Sequence, residues 1–263
     1  MANEGYLLPN RDSGAARRLE LLAELYDAWT FRHLEALGVQ AGWRCWEVGA
    51  GGPSVSAWLA ARVGEAGRVL ATDLDTSLLI ELPRNVEVRR HDVARDALLE
   101  GGFDLVHARL VLTHVPERAA ALAVMVAAVR PGGWILIEDA DPGLQPLACL
   151  QDGEAAERAQ RIRRGFRALV EARGGDLAFG RTLPGRLRAA GLRHVRADAY
   201  LTLSQPACAA LEAATVAMLR DALIAGGHTS AAELDTHLAG VAAGELDVAQ
   251  PALVSAWGQR PSP

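Results

Sequence analysis

Apolar side chains return at helical spacing from residue 15 to residue 38, at Leu19, Leu22, Leu25, Tyr26, Trp29, Leu34 and Leu37, with charged residues between them. Gly38 offers a stop, and the pattern predicts one broken or two short helices that form an amino-terminal helical cap over residues 1–40. Strand-length apolar runs follow at 44–48 and 68–72, separated by a helical pattern at 54–63. Asp75 predicts a short capped helix near 76–81. Val86-Glu-Val-Arg-Arg-His91-Asp92 alternates with the two-residue period of a third strand, and 103–107 reads as a fourth. Pro116 is placed to open a helix that turns Leu122, Val126 and Val129 inward. Arg130-Pro-Gly-Gly133 reads as a helix stop and tight turn, and Trp134 to Glu138 as a fifth, central strand.

Residues 154–173 form an amphipathic pattern, with Ile162, Phe166, Leu169 and Val170 on one face and Arg158, Arg161, Arg163, Arg164 and Arg167 elsewhere. A helix from Pro184 to Ala190 is closed by Gly191, and a sixth strand runs from Arg193 to Leu201. Residues 206–225 and 231–243 read as a helical pair, the second opened by a Ser230/Glu233 capping box. Ala252 to Gly258 reads as a short last strand. Strands alternating with helices predict an α/β fold with a parallel, doubly wound sheet. No repeat or linker divides the chain, so 41–263 reads as one domain with helical insertions at about 154–173 and 206–243.

Composition narrows the function. The 263 residues are 50% hydrophobic and 22% charged, which excludes a disordered chain. No apolar run reaches the roughly 20 residues of a spanning helix, and the amino terminus lacks a basic segment followed by an apolar one. Cys45, Cys149 and Cys208 have no C-x-x-C spacing and read as small core residues in a reducing cytoplasm. A net charge of -5 argues against a nucleic-acid partner. No set of His, Cys and carboxylates has metal-ligand spacing, so no metal is predicted.

The chemistry concentrates between Arg44 and Asp73. A strand ends near Glu47, glycines follow at Gly49, Gly51 and Gly52, a helix begins near Ser54, and a second strand ends in Asp73. This is a nucleoside-binding βαβ unit, but Gly49-Ala-Gly51-Gly-Pro-Ser54 lacks the third glycine of a dinucleotide turn. Glu47, just before the turn, would repel a pyrophosphate and welcome a cation. S-adenosylmethionine, with an ammonium, a sulfonium and a ribose but no phosphate, meets that demand.

Glu47-Val-Gly-Ala-Gly-Gly52, Val69-Leu-Ala-Thr-Asp73, His91-Asp-Val93, Phe103-Asp-Leu-Val-His-Ala-Arg109 and Arg130-Pro-Gly-Gly-Trp-Ile-Leu-Ile-Glu138, in that order, resemble the class I S-adenosylmethionine-dependent methyltransferases. Within them the chain is similar to small-molecule enzymes of bacterial natural-product pathways. The resemblance covers 40–140 closely, with a looser echo at Ala190-Gly-Leu192. It implies a Rossmann-like, mostly parallel seven-stranded sheet with an antiparallel last strand and helical cap insertions. It also implies roles: Glu47, Gly49, Ala50 and Gly51 for the amino-acid part of the cofactor, Asp73 for the ribose, Leu74 beside the adenine, and Asp92 with Val93 at the adenine amino edge. Backbone near His107, Ala108 and Arg109 would close the methionine end. Pro53 departs from the family's third glycine, although its fixed φ suits a first helical turn.

Outside these motifs His114 is the candidate general base, its bland alternative being a histidine bonded to a loop carbonyl. Glu138, Asp139 and Asp141 are expected just past the fifth strand, where Asp139 would meet the acceptor or sit in a solvated acidic loop. Tyr6, Tyr26 and Trp29 in the amino-terminal helices are candidate acceptor contacts. The five arginines of 154–173 form a solvated face or, turned inward, would favour an anionic acceptor. His107 reads as structural. The resulting expectation is methyl transfer to oxygen, nitrogen or carbon of a small molecule, by a monomer or homodimer. The competing expectations are a cyclase or isomerase on the same fold, and a non-enzymatic cofactor-binding partner.

Overall fold

The computed structural model describes residues 7–97, 101–144 and 153–262; Tyr6 and Cys149 lie outside them. The apolar run Arg44–Val48 (β1) pairs in parallel with Arg68–Asp73 (β2) on one side and Phe103–Arg109 (β4) on the other. Val86–Arg90 (β3) extends the sheet beyond β2, and Val129–Asp141 (β5) extends it beyond β4. Ala252–Gln259 (β7) enters antiparallel between β5 and Arg193–Tyr200 (β6), giving the order β3-β2-β1-β4-β5-β7-β6. Strand order reverses between β1 and β4, so a crevice opens past their carboxyl ends.

The inner strands are apolar on both faces because helices cover both. Ala15–Ala36 (α1) and Ser54–Val63 (α2) bury Leu34, Leu59 and Val63 against Cys45, Leu105 and Leu136. On the other face, Arg118–Ala128 (α3) and Phe179–Ala189 (α5) pack Met125, Phe179 and Leu183 on Trp46, Val106 and Ile135. Glu154–Glu171 (α4), Pro206–Ala225 (α6) and Ala231–Ala242 (α7) form a third helical layer, with α4 packed on both α6 and α7 and α1 on α6. Among the described residues no helix is long and apolar enough to cross a membrane.

Four local expectations are corrected. The amino-terminal pattern is one continuous helix, because no glycine or proline interrupts Ala15–Ala36; the chain turns only where Gly38 takes φ +83°. No helix forms at 76–81, where Asp75 accepts the Ser77 amide at 3.1 Å in a simple turn. So short a segment, with Pro83 close behind it, does not recover the cost of helix nucleation. α5 starts at Phe179, five residues ahead of the expected Pro184, because Phe179, Leu183 and Leu187 all bury on one face and outweigh the lost proline amide. Finally, Arg130 to Gly133 are absorbed into β5 as an irregularity in its pairing with β4 rather than forming a separate turn.

The capping box of α7 forms as expected: Ser230 Oγ accepts the Glu233 amide at 3.2 Å, and the Glu233 carboxylate accepts the Ser230 amide at 3.2 Å. Ser230→Ala should therefore cost about 1 kcal/mol in urea unfolding. An unchanged midpoint would mean that α7 does not unfold with the rest.

Candidate active site

The turn after β1 depends on glycine at two positions. Gly49 and Gly51 take φ of +64° and +63°, which side chains resist. A methyl on Gly49 would also come within 2.4 Å of Val111 Cγ2, so the turn and the segment after β4 approach each other only without a Cβ. Pro53 (φ -79°) is the residue immediately before α2, so its fixed ring enters the helix without strain.

Asp73, at the end of β2, ties this turn down. Its Oδ2 accepts the Gly51 amide at 2.9 Å and its Oδ1 accepts the Asp75 amide at 3.0 Å. Burial raises its pKa above the usual carboxylate range, against the pull of those amides. Each carboxylate oxygen has two lone pairs, so ribose hydroxyls could still be received. Asp92 is arranged similarly: its Oδ1 accepts the Ala94 amide at 3.0 Å, and its own amide donates to Asp96 Oδ2 at 2.8 Å. Glu47, Gly49, Ala50 and Gly51 line one cleft of about 1170 Å³ together with Asp73, Leu74, Asp92, Val93 and Arg109. Ala108 is buried within β4 and does not line that cleft. The Arg109 guanidinium is paired with Asp27 at 2.9 Å and donates to Thr30 Oγ1 at 3.0 Å, so it braces α1 at the rim.

Glu47 reaches the cleft as one end of a buried charge network. His107 Nδ1 donates to Glu47 Oε2 at 2.6 Å, and His107 Nε2 donates to Glu138 Oε2 at 3.2 Å. Burial alone would strip the proton from this imidazole, but the two carboxylates hold it, and the His107 pKa rises to about 9. Burial likewise opposes ionisation of Glu138, yet His107 and Arg109 keep it down at about 2. Thr30 and Ser255 donate to Glu138 at 2.5 and 2.6 Å. With His107 charged, Glu47, His107 and Glu138 together carry one net negative charge rather than two.

Glu138, Asp139 and Asp141, expected at or just past the end of the fifth strand, lie inside the sheet instead. β7 pairs with β5 as far as Asp139↔Val254 and Asp141↔Ala252, which carries the strand beyond Glu138 and buries all three side chains. Asp139, expected to meet the acceptor, does not line the cleft; it accepts the Thr113 amide at 2.9 Å and fixes the turn that carries His114. Its burial pushes its pKa to about 6. Asp141 is ion-paired to Arg181.

Past the glycine turn the cleft continues under the helical layer. His114, in a single helical turn at Leu112–His114, lines it; burial and the nearby Arg18 charge drive its pKa down to about 4. Tyr26 of α1 lines it too, and burial raises its phenol to about 12, so both side chains are neutral at pH 7. Of the five arginines at 158–167, only Arg163 lines this cleft, and it is ion-paired with Glu212 of α6. Arg161 pairs with Glu233 at 2.7 Å, Arg167 donates to the Pro142 carbonyl at 3.0 Å, and Arg164 is exposed. The arginines are therefore neither a uniform solvated face nor a cationic wall. Among the described residues no group of three or more His, Cys, Asp or Glu could hold a metal ion.

Residues 46–137 match the family model described as "methyltransferase domain". Over that stretch the chain is similar to methyltransferase domains. It is 36% identical over 149 residues to methyltransferase str2 of Strobilurus tenacellus, covering 54% of this chain and 50% of that one. The chain thus spans about half the length of the first curated relatives it matches. The fold is shared with a chain of Anabaena variabilis provisionally assigned as an antibiotic-pathway methyltransferase (15% identity, 88% and 96% of the two chains covered, TM-score 0.61). It is also shared with phosphoethanolamine N-methyltransferase 2 of Haemonchus contortus in complex with S-adenosyl-L-methionine (15% identity, 99% and 55% covered, TM-score 0.51).

The sheet and the helical layer contain two buried polar networks that the linear pattern did not bring together. The network around His107 has a sequence signal after all, since Glu47 and Glu138 are acids that follow short apolar runs in the strands on either side of a strand histidine. The Arg163–Glu212 pair has none, because Glu212 lies 49 residues away in a different, alanine- and leucine-rich helix.

Proposed function

We propose that the chain transfers the methyl group of S-adenosylmethionine to a small-molecule acceptor in secondary metabolism. The observation that carries this is the continuity of one cleft, from the glycine turn and Asp73 to the space beneath α4 and α6. Its volume of about 1170 Å³ lies above the roughly 300–1,000 Å³ of common ligand sites, leaving room for an acceptor beside a cofactor. The Anabaena chain supports the setting in secondary metabolism.

The donor set suits this cofactor. Glu47, with its share of one net negative charge, and the backbone of Gly49, Ala50 and Gly51 would hold the amino-acid part. Asp73 would take the ribose, Leu74 and Val93 the adenine faces, and Asp92 the adenine amino edge. Arg109 backbone would close the methionine end. When bound, the cofactor supplies a methyl already made electrophilic by its sulfonium. The chain then has to align the acceptor, exclude water and, for a protonated nucleophile, take a proton. His114 is neutral above a pKa of about 4 and faces the cleft, so it can accept that proton.

His114→Gln should lower kcat about 100-fold for a hydroxyl acceptor while leaving the KM for the cofactor unchanged. An unchanged kcat would remove the base role. The reaction itself is tested by following a labelled methyl group from S-adenosylmethionine into product and measuring S-adenosylhomocysteine. Cofactor binding without either product, or an acceptor altered at constant mass, would replace this reading with a binding partner or an isomerase.

A further inference from the structure

In the half of the cleft beneath the helical layer, the wall contains two ionised side chains whose charges cancel. Arg163 and Glu212 are only 5% and 4% exposed, yet both line the cleft. Arg163 Nη2 donates to Glu212 Oε2, and His237 Nε2 donates to Glu212 Oε1 at 3.2 Å. Burial opposes ionisation of Glu212, but Arg163 and His237 hold its pKa at about 2. The surrounding wall is largely apolar, with Ile162, Phe166 and Val170 from α4, Leu211, Leu219 and Leu223 from α6, and Thr215 as a polar member.

This wall discriminates by chemistry. An anionic acceptor would lose its hydration against aliphatic side chains and find the guanidinium already neutralised by Glu212. An ammonium would meet a carboxylate that two donors already hold. A neutral hydroxyl suffers neither loss, since it can donate to a remaining lone pair of Glu212 and accept from the five-donor guanidinium. Tyr26 and His114, on the other walls, are neutral, and the Arg18 charge beside His114 is engaged in an interaction of its own.

We propose that the acceptor is an uncharged, largely apolar molecule whose hydroxyl docks on the Arg163–Glu212 pair. The proposal rests on the methyltransferase reading for the identity of this half of the cleft as the acceptor side. It sets the acceptor apart from small charged amines and phosphate-bearing molecules.

The test is equilibrium binding, which needs no turnover. Heptyl para-hydroxybenzoate, heptyl benzoate, para-hydroxybenzoate and phosphoethanolamine are titrated calorimetrically into the full chain with S-adenosylhomocysteine present. Heptyl para-hydroxybenzoate should bind at least tenfold more tightly than either charged probe. The double substitution Arg163→Met/Glu212→Leu removes both charges together and leaves no buried ion unpaired. It should weaken heptyl para-hydroxybenzoate about tenfold and leave heptyl benzoate, which lacks the hydroxyl, within about twofold. Tighter binding of a charged probe, no binding of either ester, or an equal loss for both esters in the variant would overturn the proposal. The comparison of probes on the unaltered chain stands even if the double variant fails to fold. Failure to detect methyl transfer would remove the enzymatic reading and leave this binding result intact.

Discussion

His107→Leu should destabilise the chain by about 3–5 kcal/mol, because it leaves Glu47 and Glu138 buried without the cation between them. Urea unfolding at pH 7 measures the loss, and the pH dependence identifies its origin. The folded pKa of His107, about 9, lies above its ordinary value of 6.5. The native state therefore holds this proton more tightly than the unfolded chain does. The resulting stability is fully present below about pH 6.5 and disappears as pH rises through 9. The unaltered chain should accordingly lose stability across that interval, and the leucine variant should stay flat there. A native chain whose stability holds or climbs between those two pH values would show that the imidazole is neutral.

Asp73→Ala should weaken S-adenosylmethionine binding by roughly 10- to 100-fold, the range expected for losing hydrogen bonds to a charged group. Two losses combine in this variant. The carboxylate that would receive the ribose hydroxyls is gone, and so is the acceptor for the Gly51 and Asp75 amides, which loosens the glycine turn. Asp73→Asn separates them, because its one remaining oxygen can still accept an amide; its affinity should fall between those of the native chain and the alanine variant. Calorimetric titration decides, and equal affinity in all three proteins would remove Asp73 from the cofactor site.

The sequence was most informative where local rules and burial agree. The first strand, α2 and helix 206–225 have the expected bounds because apolar period, glycine and proline all point the same way. It was least informative where tertiary pairing decides. That β5 continues through Asp141 depends on β7, more than 110 residues later, so Asp139 and Asp141 looked as if they lay beyond the strand when read alone. Likewise the start of α5 depends on room for Phe179 in the core, which no residue near Pro184 announces. The glycine turn, Asp73 and Asp92 were legible because short-range backbone geometry demands them. The half of the cleft beneath the helical layer was not, since α1, α4 and α6 bring its side chains together from distant parts of the chain. Arg163 could be seen as a charge on a helix, but its partner Glu212 could not be paired with it before folding.

α1 is bound to the rest of the molecule at both ends of its length. Leu19 packs over Gly51 and Gly52, Tyr26 borders the deeper part of the cleft, and Thr30 donates to the buried Glu138. A protein engineer could not treat it as an interchangeable module. Grafting α4, α6 and α7 from another chain of this fold would alter acceptor preference while sparing the glycine turn and Asp73. Grafting α1 would disturb recognition of both molecules and remove donors from the central carboxylate at the same time. New specificity is therefore best sought by recombination within the second half of the chain, with the first helix kept in its native form.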